Sequence, residues 1–242
     1  MRTFGASFSG GSILLPQSSH WHQLIYASQG VMTVRTAAGL WVLPSHRAVW
    51  VPGSTQYAID LCGPVSLRTL YLRTELTGNL PAGCCTMNVP PLLRELILHT
   101  VRLGALDGEI PEQARMASVL VDQLRAMASI PLQLPMPSDP RAVRVAAMLQ
   151  NEPNRTRPFP ELARAAGASV RTLERLFLAE TQMTLGKWRQ RLRVLQALRL
   201  LAKGEPVTAA ALEAGYDSTS AFIAMFRAET GTTPGRYFEK AE

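Results

Sequence analysis

Two segments in the last third of the chain share one plan, and that plan narrows what the region can fold into. The first runs Glu161-Leu-Ala-Arg-Ala-Ala-Gly167-Ala-Ser169-Val-Arg171-Thr172-Leu-Glu174-Arg175-Leu-Phe177. The second runs Val207-Thr-Ala-Ala-Ala-Leu-Glu213-Ala-Gly215-Tyr-Asp-Ser218-Thr-Ser220-Ala-Phe222-Ile-Ala-Met-Phe226-Arg227. Each opens with a short alanine-rich helix. A glycine follows, able to take a left-handed turn at little steric cost. A serine then caps a second, amphipathic helix. This is the pattern of a helix-turn-helix, a motif that lays its second helix in the major groove of duplex DNA. One copy is a moderate signal; two in register, joined by a single helix, are a strong one.

In the first unit the positioning helix is predicted over 159–166, with Leu162, Ala163 and Ala166 inward. In the next helix Leu173, Leu176 and Phe177 recur at i, i+3 and i+4 and face inward. Arg171 and Arg175 then lie one turn apart and can address one stretch of DNA. An arginine can fork onto guanine O6 and N7 or grip a phosphate; these two are the expected base readers. Thr172 and Glu174 suit the positive end of the helix. Glu174 can also accept from cytosine N4 or hold an arginine in place. The competing reading is that Arg/Glu pairs merely stabilise a surface helix, by ~0.2–0.5 kcal/mol each.

The second unit repeats the plan with weaker reader chemistry. Tyr216, Phe222 and Phe226 are core anchors, and Thr219, Ser220, Ile223, Ala224 and Arg227 point outward. Ala224 can offer only an apolar contact, for instance to a thymine methyl, and Arg227 suits a phosphate. The helix between the units, predicted over 185–201, spans ~25 Å at 1.5 Å per residue. Successive major-groove segments on one face are ~34 Å apart, so a recognition helix off each end reaches both. Lys187, Arg189, Arg191 and Arg193 make this helix basic; Arg189 and Arg193 share a face and are expected on the DNA backbone. The expected partner is double-stranded DNA, met at two adjacent major-groove segments.

The charge distribution agrees. The chain of 242 residues carries a net charge of +7, and residues 140–242 hold 16 of its 25 Lys/Arg but only 10 of its 18 Asp/Glu. A basic excess on one region is the footprint of a nucleic-acid partner, although a solvated basic face has the same composition. No apolar run reaches the ~18 residues of a membrane span, and the N-terminus lacks the apolar core of a signal peptide. A cytoplasmic protein with no membrane partner is expected. Three cysteines, Cys62, Cys84 and Cys85, give no disulfide framework and no paired zinc pattern. They are expected as buried or incidental thiols rather than as a redox sensor.

Upstream, from about Ile13 to Arg73, β-rich runs alternate with Gly, Pro, Ser and Asn: 23–27, 31–35, 39–43, 48–51, 57–61 and 66–72. Their even spacing predicts a small antiparallel barrel or jelly roll. Helical periodicity takes over at 90–103 and again at 111–128, with Asp107-Gly108 as the break. These two helices can pack on the barrel or form a subunit interface; the dimer contact is the favoured reading. Four prolines in 131–140 mark a linker. The expected architecture is therefore α+β: a barrel over 1–89, a helical dimerisation segment over 90–130, a linker over 131–140, and an all-α tandem helix-turn-helix domain over 141–242.

The motif Gly215-Tyr-Asp-Ser218-Thr-Ser220-Ala-Phe222, then Phe226-Arg227, then Gly231-Thr-Thr-Pro234-Gly-Arg-Tyr237-Phe resembles the signature of the AraC/XylS family of transcription regulators. Ser169-x-Arg171-Thr-Leu173-x-Arg175-x-Phe177 matches the family's first unit, and Trp188-Arg189, Arg193 and Ala197-Leu198 its linker helix. Gln182-Met183 departs from it where a glycine often follows the first recognition helix. The strand region, through Gln23-Leu-Ile-Tyr-Ala, Gly30-Val-Met-x-Val, Gly39-x-Trp41-Val and Arg47-Ala-Val-Trp50-Val-Pro52, resembles the cupin-type sensor domain of some of these regulators. The resemblance implies a small-molecule effector in the barrel, a homodimer, and RNA polymerase as a further contact.

In such domains a His-x-His pair and a later histidine often bind metal. The aligned positions here hold Gln17, Ser19 and Tyr57. His20 and His22 remain as a local His-x-His that a strand would turn to one side, into the barrel, with His46 a remote third donor. No metal and no cofactor are expected. His20, His22, Tyr26, Trp41, Trp50 and Tyr57 are the candidate effector-pocket residues, the aromatics being ordinary core otherwise. Two other functions compete with a ligand-responsive regulator: a cupin metalloenzyme with an appended helical domain, and a DNA binder with a ligand-free barrel. No catalytic residue is nominated.

Overall fold

The computed structural model describes residues 1–15, 20–45, 47–78, 80–127, 129–130, 133–152 and 157–237. The chain divides into two compact units, one of Met1–Ala37 with Trp41–Gln133 and one of Ala38–Leu40 with Leu134–Glu239.

The first unit is built on strands β1 (Arg2–Phe8), β2 (Gly11–Ile13), β3 (Trp21–Gln29), β4 (Val31–Thr36), β5 (Gly39–Pro44), β6 (Arg47–Val51), β7 (Tyr57–Leu61), β8 (Val65–Arg73), β9 (Cys85–Asn88) and the short β10 (Ser129–Ile130). One sheet runs β1-β8-β3-β6-β9-β10, and the other contains the run β5-β4-β7-β2. The six strands expected from the sequence correspond to β3 through β8. The sheets meet face to face: Ile25, Ala27, Val49, Val51 and Leu67 of the first pack on Met32, Val34, Trp41, Leu43 and Ile59 of the second.

Successive residues of a strand point to opposite faces, so the first sheet offers a second apolar side. Leu24, Tyr26, Ala48, Trp50, Leu70 and Leu72 are covered there by Leu93 and Ile97 of α1 (Pro91–Leu103) and by Leu120 and Leu124 of α2 (Pro111–Arg125). Burial on both faces explains why Ala48-Val49-Trp50-Val51 is an unbroken apolar run. Both helices start with proline at their first turn, where its missing N–H costs nothing. Leu92 of α1 and Val119 of α2 do not reach the sheet; they stay 58% and 44% exposed. Burial pushes the Cys84 thiol up to about 11, away from the low values of a reactive cysteine. Among the described residues no helix is long and apolar enough to cross a membrane.

The second unit contains β11 (Gln133–Pro135) from Leu134 onward, α3 (Pro140–Asn151), α4 (Phe159–Ala166), α5 (Val170–Thr181), α6 (Leu185–Ala202), α7 (Val207–Glu213) and α8 (Thr219–Thr230). Part of the segment expected as linker is thus strand, and Leu134 within it is buried. Asp139 caps α3 by accepting from the Arg141 amide at 2.9 Å; with the Arg141 guanidinium, this holds its carboxyl down to about 2. Trp188, fully buried, is the centre of the first half: it meets Phe177 edge-on at 5.4 Å and donates its indole N–H to the Pro135 carbonyl at 2.7 Å.

The sequence repeat is longer than the helix-turn-helix itself. Phe177-Leu-Ala-Glu180-Thr181 recurs as Phe226-Arg-Ala-Glu229-Thr230. Thr181 and Thr230 each donate to the carbonyl four residues back, at 2.7 and 2.8 Å. Tyr237 meets Phe226 edge-on at 5.4 Å, as Trp188 meets Phe177.

Candidate nucleic-acid interface

In the first unit Gly167 takes the left-handed conformation that ends α4 (φ 69°, ψ 38°). Ser169 then caps α5, its Oγ accepting from the Thr172 amide at 3.1 Å. Leu173, Leu176 and Phe177 are buried, which turns Arg171, Arg175 and Leu178 outward as one exposed stripe. Neither arginine of this stripe forms an ion pair among the described residues. The other two expected contacts of this helix are placed differently. Thr172 is half-buried, with its hydroxyl 2.9 Å from Ser169 Oγ, so it belongs to the cap. Glu174 is half-buried and accepts the Leu185 amide at 3.3 Å, tying α5 to the first turn of α6.

In the second unit Ser218 caps α8 through the Ala221 amide at 3.4 Å, and Phe222 and Phe226 are fully buried. Tyr216 lies 5.7 Å from Phe222. Ser220, Ala224 and Arg227 are exposed; Thr219 and Ile223 are half-buried. The repeat makes Ser220 equivalent to Arg171, Ala224 to Arg175 and Arg227 to Leu178. The two units present the same stripe with opposite chemistry: two arginines and a leucine on one, two small residues and an arginine on the other.

The connecting helix differs from expectation. Arg189 is half-buried; it donates to the Arg157 carbonyl at 3.0 Å and lies 4.4 Å from the centre of the Phe159 ring. Arg193 is half-buried against Gly215 and Tyr216. Lys187 and Arg191 both bond Glu229. The pair expected on the phosphate backbone, Arg189 and Arg193, is therefore engaged within the unit. The sequence shows the positive charge of α6 but not the ring, carbonyl and carboxylate that converge on it from distant positions.

The six effector-pocket candidates do not converge. His22 shares the helix-covered face of β3 with Leu24 and Tyr26: its Nδ1 accepts the Gly53 amide at 2.9 Å and its ring is 5.2 Å from Trp50. It does not point between the sheets, and burial holds its pKa below the usual histidine value. Tyr26 and Trp50 lie in the same helix-covered core, with the Trp50 indole N–H on the Pro81 carbonyl at 2.9 Å. His20 is exposed. Only Trp41 and Tyr57 belong to the layer between the sheets. Gln17, Ser19 and His46 lie outside the described residues. Among the described residues no group of three or more His, Cys, Asp and Glu side chains could hold a metal ion.

A different polar group occupies that layer. Tyr57 donates to Gln23 Oε1 at 2.5 Å, and Tyr71 is close enough to reinforce the rise that burial gives the Tyr57 pKa. Thr69, fully buried, and Tyr71 are on the same strand as Leu67 and share its face; neither hydroxyl finds a partner among the described residues. At the rim Trp21 lies between the guanidiniums of Arg2 and Arg73, at 5.3 and 5.5 Å. Gln23, Thr69 and Tyr71 were legible only as polar residues at inward positions of otherwise apolar strands.

A helix-turn-helix domain family model matches residues 162–240. The chain is 34% identical over 233 residues to the HTH-type transcriptional regulator NimR of Escherichia coli (strain K12), covering 95% of this chain and 85% of that protein. It is 28% identical over 216 residues to the HTH-type transcriptional regulator RipA of Corynebacterium glutamicum, covering 88% of this chain and 61% of that protein. Among solved structures, the DNA-binding domain of AdpA, the global transcriptional factor, in complex with a target DNA is 33% identical. That alignment covers 42% of this chain and 91% of that one, with a TM-score of 0.39. The likeness to the NimR regulator extends over nearly the whole chain, and the helix-turn-helix match falls on the tandem motif; the chain belongs to the AraC/XylS family of DNA-binding transcription regulators.

Proposed function

We propose that this regulator reads a bipartite DNA site, with Arg171 and Arg175 choosing bases and Ser220, Ala224 and Arg227 supplying affinity and register. The exposed stripe of α5 carries this reading: two arginines one turn apart, outside any ion pair among the described residues, on the helix that the motif delivers to the major groove. Selection of binding sites from random duplex DNA tests it. The recovered site is expected to hold two sequence blocks about one helical turn apart, roughly 10 base pairs, with guanines in the better-defined block. A single block would overturn the reading.

In the same proposal a small-molecule effector binds between the sheets of the first unit and alters DNA affinity. Support comes from the hydroxyls of Thr69 and Tyr71, which have no partner among the described residues, beside the Gln23–Tyr57 bond, since buried polar groups ordinarily have partners. The arginines at the Trp21 rim suit an anionic group on such a molecule. Thermal-shift screening is expected to yield a compound that raises the unfolding temperature of the wild-type chain but not of Tyr71→Phe. A compound that stabilises both equally binds elsewhere. Exposed Leu92 and Val119 on α1 and α2 support a homodimer through these helices. RNA polymerase is a further contact in this scheme, and the cytoplasm its place of work.

A further inference from the structure

The second recognition helix is held on the connecting helix by a polar attachment that the helix-turn-helix motif does not demand. Glu229, in the last turn of α8, has a side chain only 4% exposed and sits between two cations of α6. Lys187 bonds one of its oxygens, and Arg191 bonds the other at 3.3 Å. The equivalent residue of the first unit, Glu180, performs a related task. It accepts the amides of Ser138 and Asp139, just ahead of α3, at 2.6 and 3.1 Å. In each unit, then, a carboxylate at the end of the recognition helix holds the start of the helix that precedes the unit. For the second unit that helix is α6, which the first unit also grips, through Glu174 on the Leu185 amide.

A second attachment fixes the other end of α8. Gly215 has φ 76°, and a Cβ there would come within 3.0 Å of Arg193 Nη2, so the glycine lets the arginine approach the turn. The same guanidinium lies 5.9 Å from the centre of the Tyr216 ring. Two separated points define the direction of a rod, and here they are Arg193 at the turn and Glu229 at the far end. Buried ion pairs add little net stability relative to apolar replacements, and their best-attested use is to fix register.

We propose that Glu229 is a positioning residue that sets the angle of the second recognition helix on α6, and with it the spacing of DNA half-sites the protein accepts. The lever is long enough. From Thr219 to Glu229 the helix runs about 15 Å, so a tilt of about ten degrees moves one end by roughly 2.5 Å, most of the ~3.4 Å base-pair step.

This inference rests on the bipartite reading, and the test separates the two. The full chain is assayed on its selected site and on versions with one base pair inserted or removed between the blocks. Glu229→Gln is expected to lower the ratio of affinities for correct and altered spacing about tenfold, as for a lost coupling between contacting groups. Arg175→Ala, which removes a reader, leaves that ratio intact while weakening every version. Lys187→Met leaves Arg191 on the carboxylate and is expected to lower the ratio by a smaller factor. It decides the matter if the buried glutamine does not fold. A bipartite site whose spacing ratio stays at the wild-type value in the folded variant overturns the positioning role alone. A selected site with one block overturns the bipartite reading and this role with it.

Discussion

Replacing Trp188 with alanine is expected to unfold the helical compact unit that carries both recognition helices and abolish DNA binding, while the β-sheet compact unit stays folded. The indole is fully buried, packs edge-on against Phe177, and donates to the Pro135 carbonyl. Removing a buried aromatic of this size costs about 3–5 kcal/mol through lost transfer energy and the cavity left behind. The stranded carbonyl adds roughly 1–3 kcal/mol if water does not reach it. Those costs approach the ~5–15 kcal/mol that holds a whole domain folded. The chain offers a clean separation of signals. Its other tryptophans, Trp21, Trp41 and Trp50, all lie in the β-sheet compact unit. Tryptophan fluorescence of the variant therefore follows that unit, while helical circular dichroism chiefly follows the other. Trp188→Phe keeps an aromatic ring against Phe177 but strands the carbonyl and gives up part of the indole's volume, so it is expected to cost at least the roughly 1–3 kcal/mol of the stranded acceptor, and less than alanine. A Trp188→Ala chain that binds its selected site with wild-type affinity would show that the indole is dispensable.

The same residue shows how much of the fold was legible in advance. Apolar spacing located α4 and α6 almost to the residue, and serine caps located the starts of α5 and α8, because helix boundaries carry their own chemistry. Strands β3 to β8 were legible for a similar reason, being β-branched or aromatic runs between turn residues. β1 was not. Arg2-Thr-Phe-Gly-Ala-Ser-Phe8 has only two large apolar residues and a glycine at its centre, and it becomes a strand by pairing with β8. That glycine has a tertiary cause, since a Cβ on Gly5 would meet Val101 of α1 at 2.5 Å.

The site was legible where local periodicity decides it and illegible where long-range contacts do. Arg171 and Arg175 came out exposed because three buried neighbours on their own helix dictate it. Arg189 and Arg193 turned inward because Phe159, the Arg157 carbonyl and the Gly215 turn, distant in sequence, come to meet them. The histidine pair failed on parity. A strand alternates with period two, so a one-residue error in phase exchanges its faces. Gln23, not His22, is the inward residue of β3, and the interior polar group is built from glutamine, threonine and tyrosine. The repeated Phe-x-Ala-Glu-Thr was present in the sequence, but it lies past the readers and its meaning depends on which helix each glutamate touches.

Replacing Arg175 with alanine is expected to cost about 1–3 kcal/mol on the selected site, or roughly 5- to 150-fold in affinity, with much less change on random DNA. The size follows from the contact proposed. A guanidinium forked onto guanine O6 and N7 supplies two hydrogen bonds that no other base pair can duplicate, so its loss removes discrimination as well as affinity. Its neighbours make Arg175 the sharper test. It stands on the exposed stripe between Arg171 and Leu178, whereas its counterpart in the second unit is Ala224, which has no hydrogen bond to lose. Arg175→Lys keeps the charge but not the fork, so it is expected to retain most of the binding to random DNA and little of the preference. Arg227→Ala provides the contrast: as a phosphate contact it should weaken all sequences alike and reduce the slope of log affinity against log salt by about 1. If Arg175→Ala instead behaves as Arg227→Ala does, Arg175 holds a phosphate. Base choice by the first unit would then fall to Arg171 and to the shape of the groove.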